Sequence, residues 1–118
     1  MESKATVKYA RISPRKARLV ADMVRGKDAS EAVEILRFVE KKTAPILQKL
    51  VESAIANAEH AAGRSEAELD IDALYVDQIL VDQGPTLRRF RPRAQGRATK
   101  VMKKTAHITV RLATRSET

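Results

Sequence analysis

Eight positively charged side chains lie within residues 87–104, a stretch that contains neither aspartate nor glutamate. Arginine presents a planar fork of hydrogen-bond donors and lysine a compact point charge, and both suit phosphate oxygens. The cluster therefore predicts contact with a nucleic-acid backbone. Its members are Arg88, Arg89, Arg91, Arg93, Arg97, Lys100, Lys103 and Lys104.

Aromatic rings are scarce in this chain: Tyr9, Phe38, Tyr75 and Phe90 are all it has. Common single-strand binders stack successive bases on several aromatic side chains, and four scattered rings are too few for that. We therefore expect recognition of the backbone and shape of folded RNA. Charge alone leaves DNA open as a partner.

Groups that could catalyse a reaction or hold a metal do not form a recognisable set. His60 and His107 lack an evident nucleophile or matching base. Asp70 and Asp72 have the spacing of EF-hand ligands without the glycine that continues the motif. The chain has no cysteine, which excludes disulfides and thiolate metal sites. We expect no enzyme activity, no catalytic residue, no metal and no cofactor.

Charge is distributed unevenly over the 118 residues, which suffice for one domain. Residues 1–26 have a net charge of +5, residues 27–83 of −6 and residues 84–118 of +9. The two basic segments can meet a polyanion while the acidic middle faces water. No apolar run is long enough for a membrane helix, and the first ten residues lack a signal-peptide core. We therefore expect a cytoplasmic protein without a membrane partner.

The first two helices are predicted over residues 15–25 and about 30–41. Ser13-Pro14 before the first helix and Gly26 after it are typical boundary residues. The arc of the first helix that we expect to be apolar contains Ala17, Leu19, Val20, Ala21, Met23 and Val24.

The third helix is the longest, and it is predicted to begin at the cap Thr43 and to stop at Gly63. Small side chains along its apolar stripe allow another element to approach closely. The stripe consists of Leu47, Leu50, Val51, Ala54, Ala58 and Ala61.

Three segments have the composition or the alternation of strands. Residues 74–81 are rich in β-branched and aromatic side chains, and residues 105–113 alternate apolar with polar. Residues 6–12 are a weaker candidate. The order β-α-α-α-β-β predicts an α+β fold, with a small antiparallel three-stranded sheet packed on three helices.

A long connection of 22 residues separates Asp82 from Thr105, whereas connections in compact domains usually have about 4–6. Gly84-Pro85 opens it, and residues 92–96 suit a reversal. We predict a long protruding β-hairpin, the basic finger (residues 83–105), within a single domain of residues 1–118. Its arms of about ten residues would project about 33 Å. The finger has too few apolar residues to fold on itself, and phosphates would supply its counter-charge. A disordered basic loop is the alternative.

A second group of cations lies near the N-terminus, where we predict that the globular body anchors to RNA. An ordinary solvated helix face is the alternative for those on the first helix. The predicted anchors are Lys8, Arg11, Arg15, Lys16 and Arg18.

Four segments, in order along nearly the whole chain, resemble the family of large-subunit ribosomal protein number twenty-two. They are SPRKARLVADMVRGK (13–27), ESAIANAEH (52–60), VDQGPTLRRFRPRAQGRA (81–98) and KKTAHITV (103–110). Four ordered matches are far more specific than one short motif.

The resemblance implies a structural constituent of the large ribosomal subunit, which binds 23S rRNA, aids subunit assembly and lines the nascent-polypeptide exit tunnel with its hairpin tip. The implied partners are 23S rRNA, neighbouring large-subunit proteins and the nascent chain, and no homo-oligomer is expected. A non-ribosomal basic RNA chaperone or nucleic-acid-binding protein is the alternative. The tunnel-lining tip would be Phe90, Arg91, Pro92, Arg93 and Ala94.

Overall fold

The computed structural model describes residues 2–65, 73–92 and 98–114, with the side chains of residues 64–65 and 87–102 outside the description. Within these ranges the chain forms three helices and five strands. In chain order they are β1 (Glu2–Ala10), α1 (Pro14–Asp22), α2 (Ala29–Phe38), α3 (Thr43–Ser65), β2 (Leu74–Gln83), β3 (Leu87–Pro92), β4 (Ala98–Lys103) and β5 (Ala106–Thr114).

The main sheet has three strands in the order β1-β5-β2, and both pairs are antiparallel. Its central strand, β5, buries Ile108, Val110 and Leu112 while Thr109 and Arg111 take the opposite face. That alternation follows from the two-residue period of a strand. The predicted α+β class, three-stranded antiparallel sheet and three helices are confirmed. β1 begins four residues before the predicted segment and ends two residues sooner.

The first helix ends at Asp22, three residues before the predicted end. Its last turn tightens, because the Met23 and Val24 amides donate to carbonyls three residues back. The chain then crosses to β2, where the Gly26 amide donates to the Val76 carbonyl at 2.9 Å. Gly26 has φ +78°, which favours glycine.

Part of the predicted apolar arc of α1 is not buried. Leu19 and Met23 are 58% and 46% exposed, whereas Val20 and Val24 are fully buried. Only one stripe of a helix can face the core, so the apolar arc that we predicted is wider than the face that is actually buried.

The second and third helices also differ from their predicted ends. α2 stops at Phe38 rather than residue 41, because Val39 adopts an extended conformation. α3 continues past Gly63 to Ser65, so the predicted glycine stop is wrong. Ala62 is buried in place of Ala61, since it lies four residues after the buried Ala58 and stays on the same helix face.

The long helix α3 lies close against β1 on the helical side of the sheet. The Ser3 hydroxyl donates to the Ala54 carbonyl at 2.9 Å, and the Asn57 amide donates to the Lys4 carbonyl at 2.9 Å. Small residues on the packed face permit this approach. Ala54 and Ala58 are fully buried.

The basic finger is a two-stranded antiparallel sheet of its own, with a register running from Leu87↔Lys103 to Pro92↔Ala98. The predicted hairpin is confirmed, although its arms are not simple continuations of β2 and β5. The predicted reversal falls mainly in residues 93–97, which lie outside the described residues. The molecule measures 67 × 27 × 20 Å, so one axis is much longer than the others.

Candidate nucleic-acid interface

The junction between body and finger is held by hydrogen bonds around Gly84. The Gly84 amide donates to the Thr105 carbonyl at 3.0 Å, and the Thr105 hydroxyl donates to the Pro85 carbonyl at 2.6 Å. Thr105 is only 3% exposed. A Cβ on residue 84 would lie 2.5 Å from the Thr105 hydroxyl oxygen, so only glycine fits without a shift. Because proline has no N–H, Pro85 cannot extend the ladder, and the main sheet ends here.

An open depression of about 500 Å³ lies beside this junction, and we call it the basal groove. Its cations come from three separate parts of the chain: Arg11 after β1, Lys42 before α3, and the Lys103-Lys104 pair where the finger returns to the body. All four side chains are exposed. Ile12 and Ser13 complete the described lining. Because that lining holds four cations and no acidic residue, it suits the phosphates of a polyanion.

Residues that were predicted in two separate groups meet in the basal groove. Arg11 was predicted as part of the body anchor, and Lys103 and Lys104 as part of the finger. Lys42 was missed, because it lies in the segment with net charge −6. Only the fold, which brings the start of α3 beside the finger, could reveal it.

The predicted anchors on α1 have different surroundings. Arg15 and Lys16 are exposed, and neither has an ion pair or side-chain hydrogen bond with another described residue. The Arg18 guanidinium donates to the Val81 carbonyl at 3.0 Å and so ties α1 to β2. Arginine has five N–H donors, which leaves others for a ligand.

A further arginine, Arg25, is engaged within the protein. Its guanidinium donates to the Ile79 carbonyl at 2.8 Å and pairs with the Asp22 carboxylate. These contacts join the turn after α1 to β2. Arg25 therefore has a clear structural role.

The last predicted anchor, Lys8, lies at an irregularity of β1. The register passes from Val7↔Ile108 to Ala10↔Ala106, so that Lys8 and Tyr9 together oppose His107. This is a β-bulge, which re-aims side chains at a sheet edge. Lys8 is exposed there.

For the finger itself the structure gives the backbone. Arg88, Arg89, Phe90, Arg91 and Pro92 belong to β3, and Lys100 belongs to β4. Their side chains are outside the description, and Arg93, Ala94 and Arg97 lie outside the described residues altogether. RNA contact by these residues stays a prediction.

Within the part of the chain that the structure describes, neither His60 nor His107 belongs to a cluster of potential metal ligands. Among the described residues, no three His, Cys, Asp or Glu side chains approach closely enough to hold an ion. His60 is exposed on α3, and His107 is half-buried on β5. Asp70 and Asp72 lie outside the described residues. No described helix has the length and hydropathy needed to cross a bilayer.

Fold and groove together define a small basic α+β protein with a hairpin arm and a cationic surface where the arm joins the body. A model of the family "Ribosomal protein L22p/L17e" matches residues 5–113. The chain belongs to this family, as the four sequence segments predicted. Membership also confirms the expected location, the ribosome in the cytoplasm.

Two relatives show how closely the chain follows the family. "Large ribosomal subunit protein uL22" of Bdellovibrio bacteriovorus is 61% identical over 110 residues, which cover 93% of this chain and 96% of the relative. The protein of the same name from Syntrophotalea carbinolica is 56% identical over equal shares of both chains. Both names describe components of a large ribosomal subunit.

Proposed function

We propose that this protein is a structural, non-enzymatic constituent of the large ribosomal subunit, which binds 23S rRNA and aids subunit assembly. The names of its relatives support the subunit. The observation that carries rRNA binding is the basal groove, where four exposed cations from three chain segments meet without an acidic residue in the described lining. Four like charges brought together repel one another, and a bound anion would offset that repulsion.

The body contributes a first set of contacts to this proposal. Arg15 and Lys16 are exposed and unpaired among the described residues, so their charges can neutralise phosphates at little cost in broken contacts. Lys8 is exposed at the bulge of β1, and Arg11 lines the basal groove. Arg18 positions α1 on the sheet and offers its remaining donors to RNA.

The finger contributes the second set. Eight cations in residues 87–104 would thread between rRNA segments and fix their relative positions. Its tip, residues 90–94, would border the tunnel and meet the nascent polypeptide, as the family resemblance implies. Neighbouring large-subunit proteins would contact the remaining surface.

Sedimentation of tagged protein from cell extract on a sucrose gradient tests the proposal. We expect stoichiometric comigration with large subunits, and loss of that comigration when all eight finger cations become glutamine. A protein that binds RNA but stays at the top of the gradient would be a free RNA chaperone. A protein that binds neither subunits nor 23S rRNA would contradict the proposal entirely.

A further inference from the structure

The bulge in β1 holds a tyrosine in an unfavourable backbone conformation. Tyr9 has φ +58°, and it is the one non-glycine residue with positive φ among those the structure describes. A side chain with a Cβ crowds the backbone there, and for a bulky residue the conformation is a genuine outlier. Glycine is the usual occupant of such a bulge position.

The Tyr9 ring is braced from one side by His107. The Tyr9 amide donates to His107 Nδ1 at 3.0 Å, and the two ring centroids are 4.8 Å apart with planes at 89°. In a perpendicular pair one ring covers at most one face of the other. At least one face of the Tyr9 ring is therefore not covered by His107.

Burial does not explain why a tyrosine occupies this position. Its side chain remains 61% exposed despite the contact with His107. Little apolar surface leaves water in exchange for the strained backbone. Backbone strain that is kept without burial of the side chain is typical of functional sites rather than of cores.

The surroundings of Tyr9 indicate the chemistry of a ligand. Lys8 precedes it, and Arg11, two residues later, lines the basal groove. A strand of RNA with phosphates in that groove would carry its bases past the neighbouring surface. On β2, across β5 from Tyr9, the exposed Asp82 pairs in register with His107. Its negative charge disfavours a phosphate near the His107 side of the ring. A neutral base, not a phosphate, suits the ring.

We infer that Tyr9, braced by His107, stacks on one unpaired nucleobase of an RNA whose phosphates lie in the basal groove. The inference rests on the proposed RNA binding and adds a contact that the scarcity of aromatic residues had not suggested. A ring that is already fixed loses little conformational freedom when a base stacks on it. Every base has a π-face, so the contact favours unpaired RNA without selecting a sequence.

Intrinsic fluorescence can report this contact, because the chain has no tryptophan and only two tyrosines. In Tyr75→Phe the sole tyrosine is Tyr9, and the substitution leaves residue 9 unchanged. We would titrate this variant at low salt with a single-stranded RNA of ten adenosines, and with an abasic ribose-phosphate oligomer of the same length. We expect the adenosine oligomer to quench Tyr9 and the abasic one to leave its emission unchanged.

Matched substitutions at residue 9 then measure what the ring contributes. Tyr9→Phe keeps a stacking face and Tyr9→Leu removes it, while both keep a Cβ at the strained position. For the adenosine oligomer we expect Tyr9→Phe to bind within twofold of the unaltered protein, and Tyr9→Leu about tenfold more weakly, the size of one base–aromatic stack. In Tyr9→Phe, the remaining emission from Tyr75 controls for absorption by the RNA.

Two failures can be told apart. If the adenosine oligomer does not bind, or binds without quenching Tyr9, the stacking inference is overturned whatever happens at the groove. The proposed function is overturned only if the unaltered protein also fails to bind 23S rRNA.

Discussion

Replacing Lys42 and Lys103 with glutamine removes two of the four cations that line the basal groove. Both side chains are exposed, and neither forms an ion pair with a described residue. The substitutions therefore change the charge of the groove and leave the core intact. We expect them to weaken binding of 23S rRNA through loss of phosphate contacts.

The magnitude follows from counterion release. Each neutralised phosphate contributes about 0.7–0.9 to the slope of log K against log salt, so the double variant loses about 1.4–1.8 of that slope. Between 50 and 200 mM salt, the affinity of the unaltered protein should then fall by about tenfold more than the affinity of the variant.

Filter binding of 23S rRNA over that salt range provides the assay. The matched control is Arg37→Gln with Lys49→Gln, which removes the same formal charge away from the groove. Arg37 lies 3.1 Å from the Glu34 carboxylate and is already paired. Equal slopes for the two double variants would show that net charge, and not the groove, determines binding, and would refute the reasoning.

Four further predictions concern the scaffold, and each can be checked by thermal or urea unfolding. Gly84→Ala should destabilise the protein by about 1–3 kcal/mol, because its Cβ would lie 2.5 Å from the Thr105 hydroxyl oxygen; a stability equal to that of the unaltered protein would show that the junction yields freely. Gly26→Ala should cost about 1 kcal/mol or more because φ is +78°, and a stabilised variant would contradict the left-handed turn. Gly63→Ala should instead stabilise by up to about 1 kcal/mol, since the residue lies within α3 and a Cβ would meet nothing within 4 Å; destabilisation would argue that α3 does end there. Leu36→Ala should cost about 2–5 kcal/mol, because the side chain is 1% exposed, and a loss below 1 kcal/mol would place it outside the core.

The fold could be predicted where a single physical signal dominates. The alternation of residues 105–113 predicted the strand β5, because one face of that strand is buried against the helices. The apolar stripe of α3 was predicted correctly as far as Ala58 for the same reason. The central place of β5 in the sheet was not predicted and comes from the fold. Boundaries were less predictable, since the end of α1 depends on the crossing of Gly26 to Val76, which is a tertiary contact.

The candidate site was predictable in part. Charge density and the length of the connection together predicted the finger, with Lys103 and Lys104 among its cations, and Arg11 was predicted as one of the basic residues near the N-terminus. Contact of these residues with RNA stays a prediction. Lys42 and Tyr9 were not predicted as RNA contacts. Lys42 joins the groove only through folding, and the importance of Tyr9 lies in a backbone angle and a ring contact that sequence does not display.

The central claim is that RNA phosphates supply the counter-charge for the finger, whose eight cations repel one another and have no acidic residue among them. Site-specific crosslinking tests it most directly: Arg91, on β3, is replaced by a photoreactive p-benzoylphenylalanine, and the protein is irradiated within intact large subunits carrying nascent chains. We predict that the recovered adducts contain 23S rRNA. Adducts from residue 91 to the protein's own α1 or main sheet would contradict the claim, because they would place the finger against its own body.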